Sequence, residues 1–129
     1  MATLKSDKAQ AAVSARYLHA GSVTEVCTYT TTATLSAGDV IQMMKVEPGA
    51  VVTGYQLKST DGELTVALGD GLDPDRYLAA TAAGSTLASP IVNLGYEYTA
   101  SDTVDVLVGG SATGVANVMQ AIITVTYDN

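Results

Sequence analysis

The sequence predicts an all-β fold: an antiparallel β-sandwich, jelly-roll-like, of about eight strands with an N-terminal arm. Three observations predict it. Val- and Thr-rich runs recur after residue 21, with apolar residues on alternate positions. Turn signals rich in Gly, Pro, Asp and Ser separate them. Strand-like and helix-like patterns do not alternate, which argues against a doubly wound sheet. The 129 residues are enough for one domain with a buried core. Phe and Trp are absent, so Val, Leu, Ile, Ala, Met and Tyr must fill that core.

Residues 1–21 stand apart and are read as an arm, with the sandwich domain spanning 22–129. Ala and basic residues dominate the arm. Ala9, Val13 and Tyr17 fall four apart, which permits a short helix, while an extended arm fits equally well. Terminal segments without a core pattern are mobile unless a partner ties them down.

Ser22 to Leu35 reads as the first strand. Val23, Cys27, Tyr29 and Ala33 share one face, and a row of threonines shares the other. Gly38-Asp39 turns the chain into a strand from Val40 to Glu47, whose adjacent Met43 and Met44 place it mid-sheet or under a partner. Pro48-Gly49 is a turn, with Pro supplying a fixed negative φ and Gly a positive one. A strand follows from Ala50 to Ser59, with Val51, Tyr55 and Leu57 on one side. Asp61-Gly62 reads as a hairpin turn into Glu63–Gly69, where Leu64, Val66 and Leu68 alternate. Tight turns between these three runs predict an antiparallel meander.

An acidic glycine loop, Gly69 to Asp75, leads to a short strand at Arg76–Ala80. A flexible connection through Ser89 precedes a strand at Ile91–Thr99, with Val92, Leu94, Tyr96 and Tyr98 on one side. Thr103–Val108 alternates Val104, Val106 and Val108 inward against an outward Asp105. The last strand, Val118–Tyr127, turns Met119, Ala121, Ile123, Val125 and Tyr127 inward.

Charge is uneven along the chain. In residues 1–24, Lys5, Lys8 and Arg16 face Asp7 alone; from residue 25 onward, three basic side chains face twelve acids, for a total of −7. An acidic body repels phosphate, so nucleic acid is not an expected partner. No run approaches the apolar length of a membrane helix or a secretory signal. No membrane partner is expected, and synthesis in the cytoplasm is.

Chemistry-bearing residues are sparse. Cys27 is the only cysteine and His19 the only histidine, eight residues apart in different segments, which does not make a nucleophile–base pair. Cys27 reads as a small buried hydrophobe. Asp70, Asp73 and Asp75 offer oxygens from a turning loop, but their spacing is not that of an EF-hand, and Asp and Gly favour turns without any metal. No pair of carboxylates is set at a glycosidase separation by the sequence. Gly69-x-Gly71 and Gly109-Gly110 precede no helix and lack the Lys-Ser/Thr of a phosphate loop. Tyr55, Tyr96, Tyr98 and Tyr127 fall on buried faces rather than on a sugar platform. No enzyme activity, catalytic residue, cofactor or metal is expected.

LTVALGDGLDPDRYLAAT, Leu64 to Thr81, resembles small structural proteins of tailed bacteriophages, in which a strand ends in a Gly-Asp-Gly loop followed by Asp-Pro-Asp and an aromatic. TATLSAGDVIQMMKVEPGAVVTGYQL, Thr32 to Leu57, is similar to the same group. The resemblance implies a head decoration (cement) protein or related virion component. By analogy it implies the major capsid protein as partner, a homo-oligomer with a trimer preferred, and a place on the outside of the head. The arm would then supply contacts, with Lys5, Lys8 and Arg16 for charge and Val13, Tyr17 and Leu18 as apolar anchors. The alternative is a tail or fibre module recognising host carbohydrate, with calcium in the Asp70–Asp75 loop; a small hydrolase is a third reading.

Overall fold

The computed structural model describes residues 2–10, 21–60, 64–83, 86–88, 91, 94–110 and 117–127. Along the chain run β1 (Thr3–Lys5), α1 (Asp7–Gln10), β2 (Ser22–Thr30), β3 (Val40–Val46), β4 (Ala50–Ser59), β5 (Leu64–Gly69), β6 (Leu78–Ala82), β7 (Asp102–Gly110) and β8 (Val118–Tyr127). They form two sheets, a five-stranded one in the order β1-β3-β7-β5-β6 and a three-stranded one in the order β2-β8-β4. All pairings are antiparallel except β1 with β3.

One apolar cluster lies between the sheets. β3, β5 and β7 contribute Ile41, Met43, Met44, Leu64, Val66, Leu68, Val104, Val106 and Val108. The facing sheet contributes Val23, Cys27, Val52, Leu57, Met119, Ala121, Ile123, Val125 and Tyr127. The inward sets read from β5, β7 and β8 hold residue for residue. Two bulges alter the others. One between Gln42 and Met44 lets Met43 and Met44 both turn inward, with β3 lying between β1 and β7. The other, between Val52 and Gly54, buries Ala50 and Val52 and leaves Val51 half-buried, contrary to the face expected for it.

The meander is not formed. Pro48-Gly49 does reverse the chain, with Gly49 at φ 94, but it hands it from one sheet to the other. β3 pairs with β7 and β4 with β8, while β5 returns to the larger sheet. The Asp61-Gly62 turn lies outside the described residues; β4 and β5, on either side of it, belong to different sheets. Each inward face thus opposes the next strand's across the core.

Three strand assignments change. The first strand stops at Thr30, and Leu35 reaches the core from a loop. The run from Arg76 begins its strand only at Leu78. The described part of 91–99 is not a strand: it touches β4 through one bridge, Val51 with Glu97, and turns at Gly95, whose φ is 97. Leu94, expected inside, is exposed. That segment's geometry is set by where Tyr98 is anchored, as described below.

The described part of the N-terminal segment lies against the sandwich. The Ala2 amide donates to Asp39 Oδ1 at 2.9 Å, and the Val40 amide donates to the Ala2 carbonyl at 2.8 Å. The buried Ser6 donates its hydroxyl to the Met43 carbonyl and accepts from the Ala9 amide, capping α1. Asp7 Oδ1 accepts from the Thr28 amide on β2 at 2.9 Å, so α1 ties the free edge of the smaller sheet to β3. A bare strand edge is a template for unwanted pairing, and here a carboxylate occupies part of it. Residues 11–20 lie outside the described residues.

Candidate functional site

The acidic loop after β5 folds back over the strand that feeds it. A Cβ at Gly69 would sit 2.1 Å from the Asp73 carbonyl oxygen and 2.5 Å from the Pro74 carbonyl carbon, so only glycine allows the fold-back. The Asp70 amide donates to the Asp73 carbonyl at 3.0 Å. Asp70 Oδ1 accepts from the Leu72 and Asp73 amides at 3.0 and 2.9 Å, the local bonding for which Asp favours turns.

The same carboxylate faces Arg76 in a fork. Nε donates to Oδ2 at 2.7 Å and Nη2 donates to Oδ1 at 3.2 Å. The Tyr98 hydroxyl donates to Oδ2 at 3.0 Å, and the Tyr77 hydroxyl donates to that of Tyr98 at 2.8 Å. The Arg76 guanidinium lies 3.5 Å above the Tyr96 ring centre, and Tyr96 meets Tyr98 edge-on at 5.1 Å. Burial pushes the Asp70 carboxyl up, but the Arg76 fork, the Asp73 amide and the Tyr98 hydroxyl outweigh it and hold it below the usual carboxylate range. Burial pushes the Tyr77 hydroxyl up to about 12 and the Tyr98 hydroxyl higher still. With five donors on Asp70, the cluster is a satisfied ion pair that locks the loop, and its central carboxylate turns inward.

The locked loop walls a cavity of about 460 Å³ on the outer face of the five-stranded sheet. Thr3, Val40, Gln42, Asp105 and Leu107 line it from β1, β3 and β7; Asp70, Gly71 and Pro74 line it from the loop. Asp105 is 8% exposed. Its Oδ1 accepts from the Thr103 hydroxyl at 2.6 Å. Burial pushes its carboxyl up to about 7; the Thr103 hydroxyl pulls it down, and Asp102 and Asp70 push it further up. The chemistry on offer is an apolar recess with a poorly compensated carboxylate in its wall, suited to recognition.

The fold is shared with chains of phage capsids. A chain in the capsid of Ralstonia phage GP4 superposes with a TM-score of 0.70 at 18% identity, over 98% of this chain and 99% of that one. A chain of the cyanophage Pam1 capsid asymmetric unit gives 0.58 at 23% identity, over 95% and 97%. A chain of the acidic stable capsid of Helicobacter pylori bacteriophage KHP30 gives 0.60 at 14% identity, over 86% and 91%. No protein-family model and no curated protein matches the chain.

Of the residues expected to contact a partner, Lys5 is exposed on β1, in the same cross-strand row as Gln42 and Asp105. Lys8 is half-buried in α1. Val13, Arg16, Tyr17 and Leu18 lie outside the described residues, as does His19. Asp70, Asp73 and Asp75 do not converge: Asp70 points at Arg76, Asp73 Oδ2 is 3.9 Å from Arg76 Nη1, and Asp75 is exposed. Among the described residues no group of three or more His, Cys, Asp or Glu is arranged to hold a metal ion. Cys27 is fully buried, and burial first, with Glu25 and Asp7 adding, pushes its thiol up to about 12, the opposite of an activated nucleophile. Asp105 was the residue the alternation misread: expected on a solvated face, it is buried. The available signal was its place amid Val104, Val106, Leu107 and Val108, a run apolar on both faces.

Proposed function

We propose that the protein is a phage virion structural protein, specifically a decoration (cement) protein that binds the outside of the head and stabilises the shell. The observation that carries this reading is the end-to-end match with a chain of the Ralstonia phage GP4 capsid, over 98% of one chain and 99% of the other. The match runs over nearly all of both chains. The phage-like motifs around the acidic loop support the same reading. The role is structural rather than enzymatic.

The partner in this reading is the major capsid protein, and the protein assembles as a homo-oligomer, with a trimer matching the three-fold positions of a shell. The N-terminal segment forms one contact, with Lys5, Lys8 and Arg16 meeting charge and Val13, Tyr17 and Leu18 meeting apolar surface. Many weak contacts repeated over a lattice give strong overall attachment.

The test is to add the full chain to heads lacking it and measure occupancy and the temperature at which the heads rupture. Saturable binding with a higher rupture temperature supports the reading. Absence of head binding, with calcium-dependent binding on a glycan array, replaces it with the tail or fibre module.

A further inference from the structure

Three carboxylates are buried among the described residues: Asp39, Asp70 and Asp105. Asp39 accepts from the Ser36 and Ala2 amides, and Asp70 accepts five donors. Asp105 differs from both. Thr103 supplies its hydrogen bond to Oδ1, and among the described residues no donor reaches Oδ2. The charged groups bearing on it are Asp102 and Asp70, both of its own sign. On the neighbouring strands, Lys45 stands opposite Thr103, and Lys5 stands one strand further out, opposite Gln42.

A largely buried carboxylate with the Thr103 hydroxyl as donor and two like-charged neighbours lacks the compensation that buried charges normally have. It lines an open cavity whose other walls include Val40, Leu107 and Pro74. The volume, about 460 Å³, lies within the range of ligand sites, roughly 300–1,000 Å³. A hard cation wants several oxygens, which this wall does not assemble. A lysine or arginine wants a different pairing: an apolar surface for its stem and an anion at its end. The chain as a whole carries a net charge of −7, which favours approach of a basic surface.

We propose that this cavity receives a lysine or arginine side chain from a neighbouring protein of the shell, its charge meeting Asp105 Oδ2 and its stem lying on Val40, Leu107 and Pro74. The identity of the neighbour rests on the virion role proposed above; the chemistry of the cavity does not. The site is ready-made because the Asp70–Arg76 fork fixes the wall containing Gly71 and Pro74 before any partner arrives.

The experiment has two arms. In the first, the full chain is uniformly ¹³C-labelled and is titrated near neutral pH with N-acetyl-arginine methylamide. The Asp105 carboxyl signal is expected to move to its ionised position, its titration midpoint is expected to fall, and the Val40 and Leu107 methyl signals are expected to follow with the same saturation. Asp105→Asn abolishes those methyl shifts. An Asp105 signal that stays still, or one that moves no more than that of the exposed Glu97, overturns the proposal. In the second arm, heads lacking the protein are titrated with wild type, Asp105→Asn and Glu97→Gln. Loss of one member of a desolvated charge pair predicts affinity lower on the order of a hundredfold for Asp105→Asn. The same charge change at Glu97 is expected to stay within about twofold. Equal binding by wild type and Asp105→Asn overturns the cavity as a shell contact and leaves the virion role standing. If wild type does not bind heads, the virion role falls and the arginine titration alone decides the cavity. Self-association that disappears in Asp105→Asn assigns the cavity to a second copy and overturns the choice of a shell neighbour.

Discussion

Replacing Asp70 by asparagine tests the lock on the acidic loop with almost no change of shape. The Leu72 and Asp73 amides keep an acceptor in Asn Oδ1, so the turn survives in outline. The other side fails. An amide NH₂ replaces Oδ2, where Arg76 Nε and the Tyr98 hydroxyl both donate. Donors then face donors, and a largely buried guanidinium loses its counter-charge. Breaking a buried pair from one side costs about 3–5 kcal/mol. Arg76 keeps 11% of its side chain exposed and retains the Tyr96 ring, which places the loss at the lower end, about 3 kcal/mol. For a chain of 129 residues this corresponds to a fall in Tm of about 10 °C. Urea unfolding of Asp70→Asn, Arg76→Met and the double variant measures it. The double variant is expected to lose less than the two single losses added together, because neither charge is then stranded. The penalty also carries a pH signature. The folded carboxyl is held below its unfolded value of about 3.9, so its stabilisation is present above that pH and is lost as pH falls through the folded value. The difference between wild type and Asp70→Asn should therefore shrink in acid. A loss under about 1 kcal/mol, or strict additivity of the single variants, would refute the lock.

Gly69→Ala should destabilise by about 1–3 kcal/mol, since its methyl group would meet the backbone at Asp73 and Pro74 and the loop would have to lift; urea unfolding measures this. Asp105→Asn should behave in the opposite way to Asp70→Asn. The raised carboxyl of Asp105 favours the folded state below its unfolded value, and that contribution is lost as pH rises through about 7. Calorimetry should find the asparagine variant gaining on wild type at pH above 7 and losing that gain toward about pH 4. Cys27 should resist alkylation in the native protein at mildly alkaline pH and react at once in denaturant; fast native labelling would contradict its burial. Deleting residues 2–10 should lower Tm by more than about 5 °C, because Ser6 and Ala9 are buried and Asp7 binds the β2 edge; an unchanged Tm would show that the docking adds nothing.

Local pattern made a large part of this molecule legible. Inward and outward faces follow a period of two, so Leu64, Val66 and Leu68, or Met119 through Tyr127, declare their burial one strand at a time. Turns at Gly38-Asp39 and Pro48-Gly49 are equally local, because the φ values they need belong to the residues themselves. Sheet partnership is another matter. Pro48-Gly49 dictates that the chain reverses, but nothing within ten residues says that β3 joins β7 and β4 joins β8; those pairings join residues more than fifty positions apart and depend on which faces close one core.

The same division governs the site. Gly69, Asp70 and Arg76 announce an acidic turn, yet the partners of Asp70 include Tyr98, 28 residues away, which draws its own segment out of the strand that alternation predicts. Asp105 reads as solvated because alternation places it outward; it is buried because the loop after β5 and the N-terminal strand cover that outward face. The sequence by itself determined the fold class, the core-facing residues of the regular strands and the turns, since each depends on neighbours along the chain. Only the tertiary structure decided the sheet order, the bulges, the docked N-terminal strand and the cavity around Asp105, because each arises where segments distant in sequence compete for the same buried space.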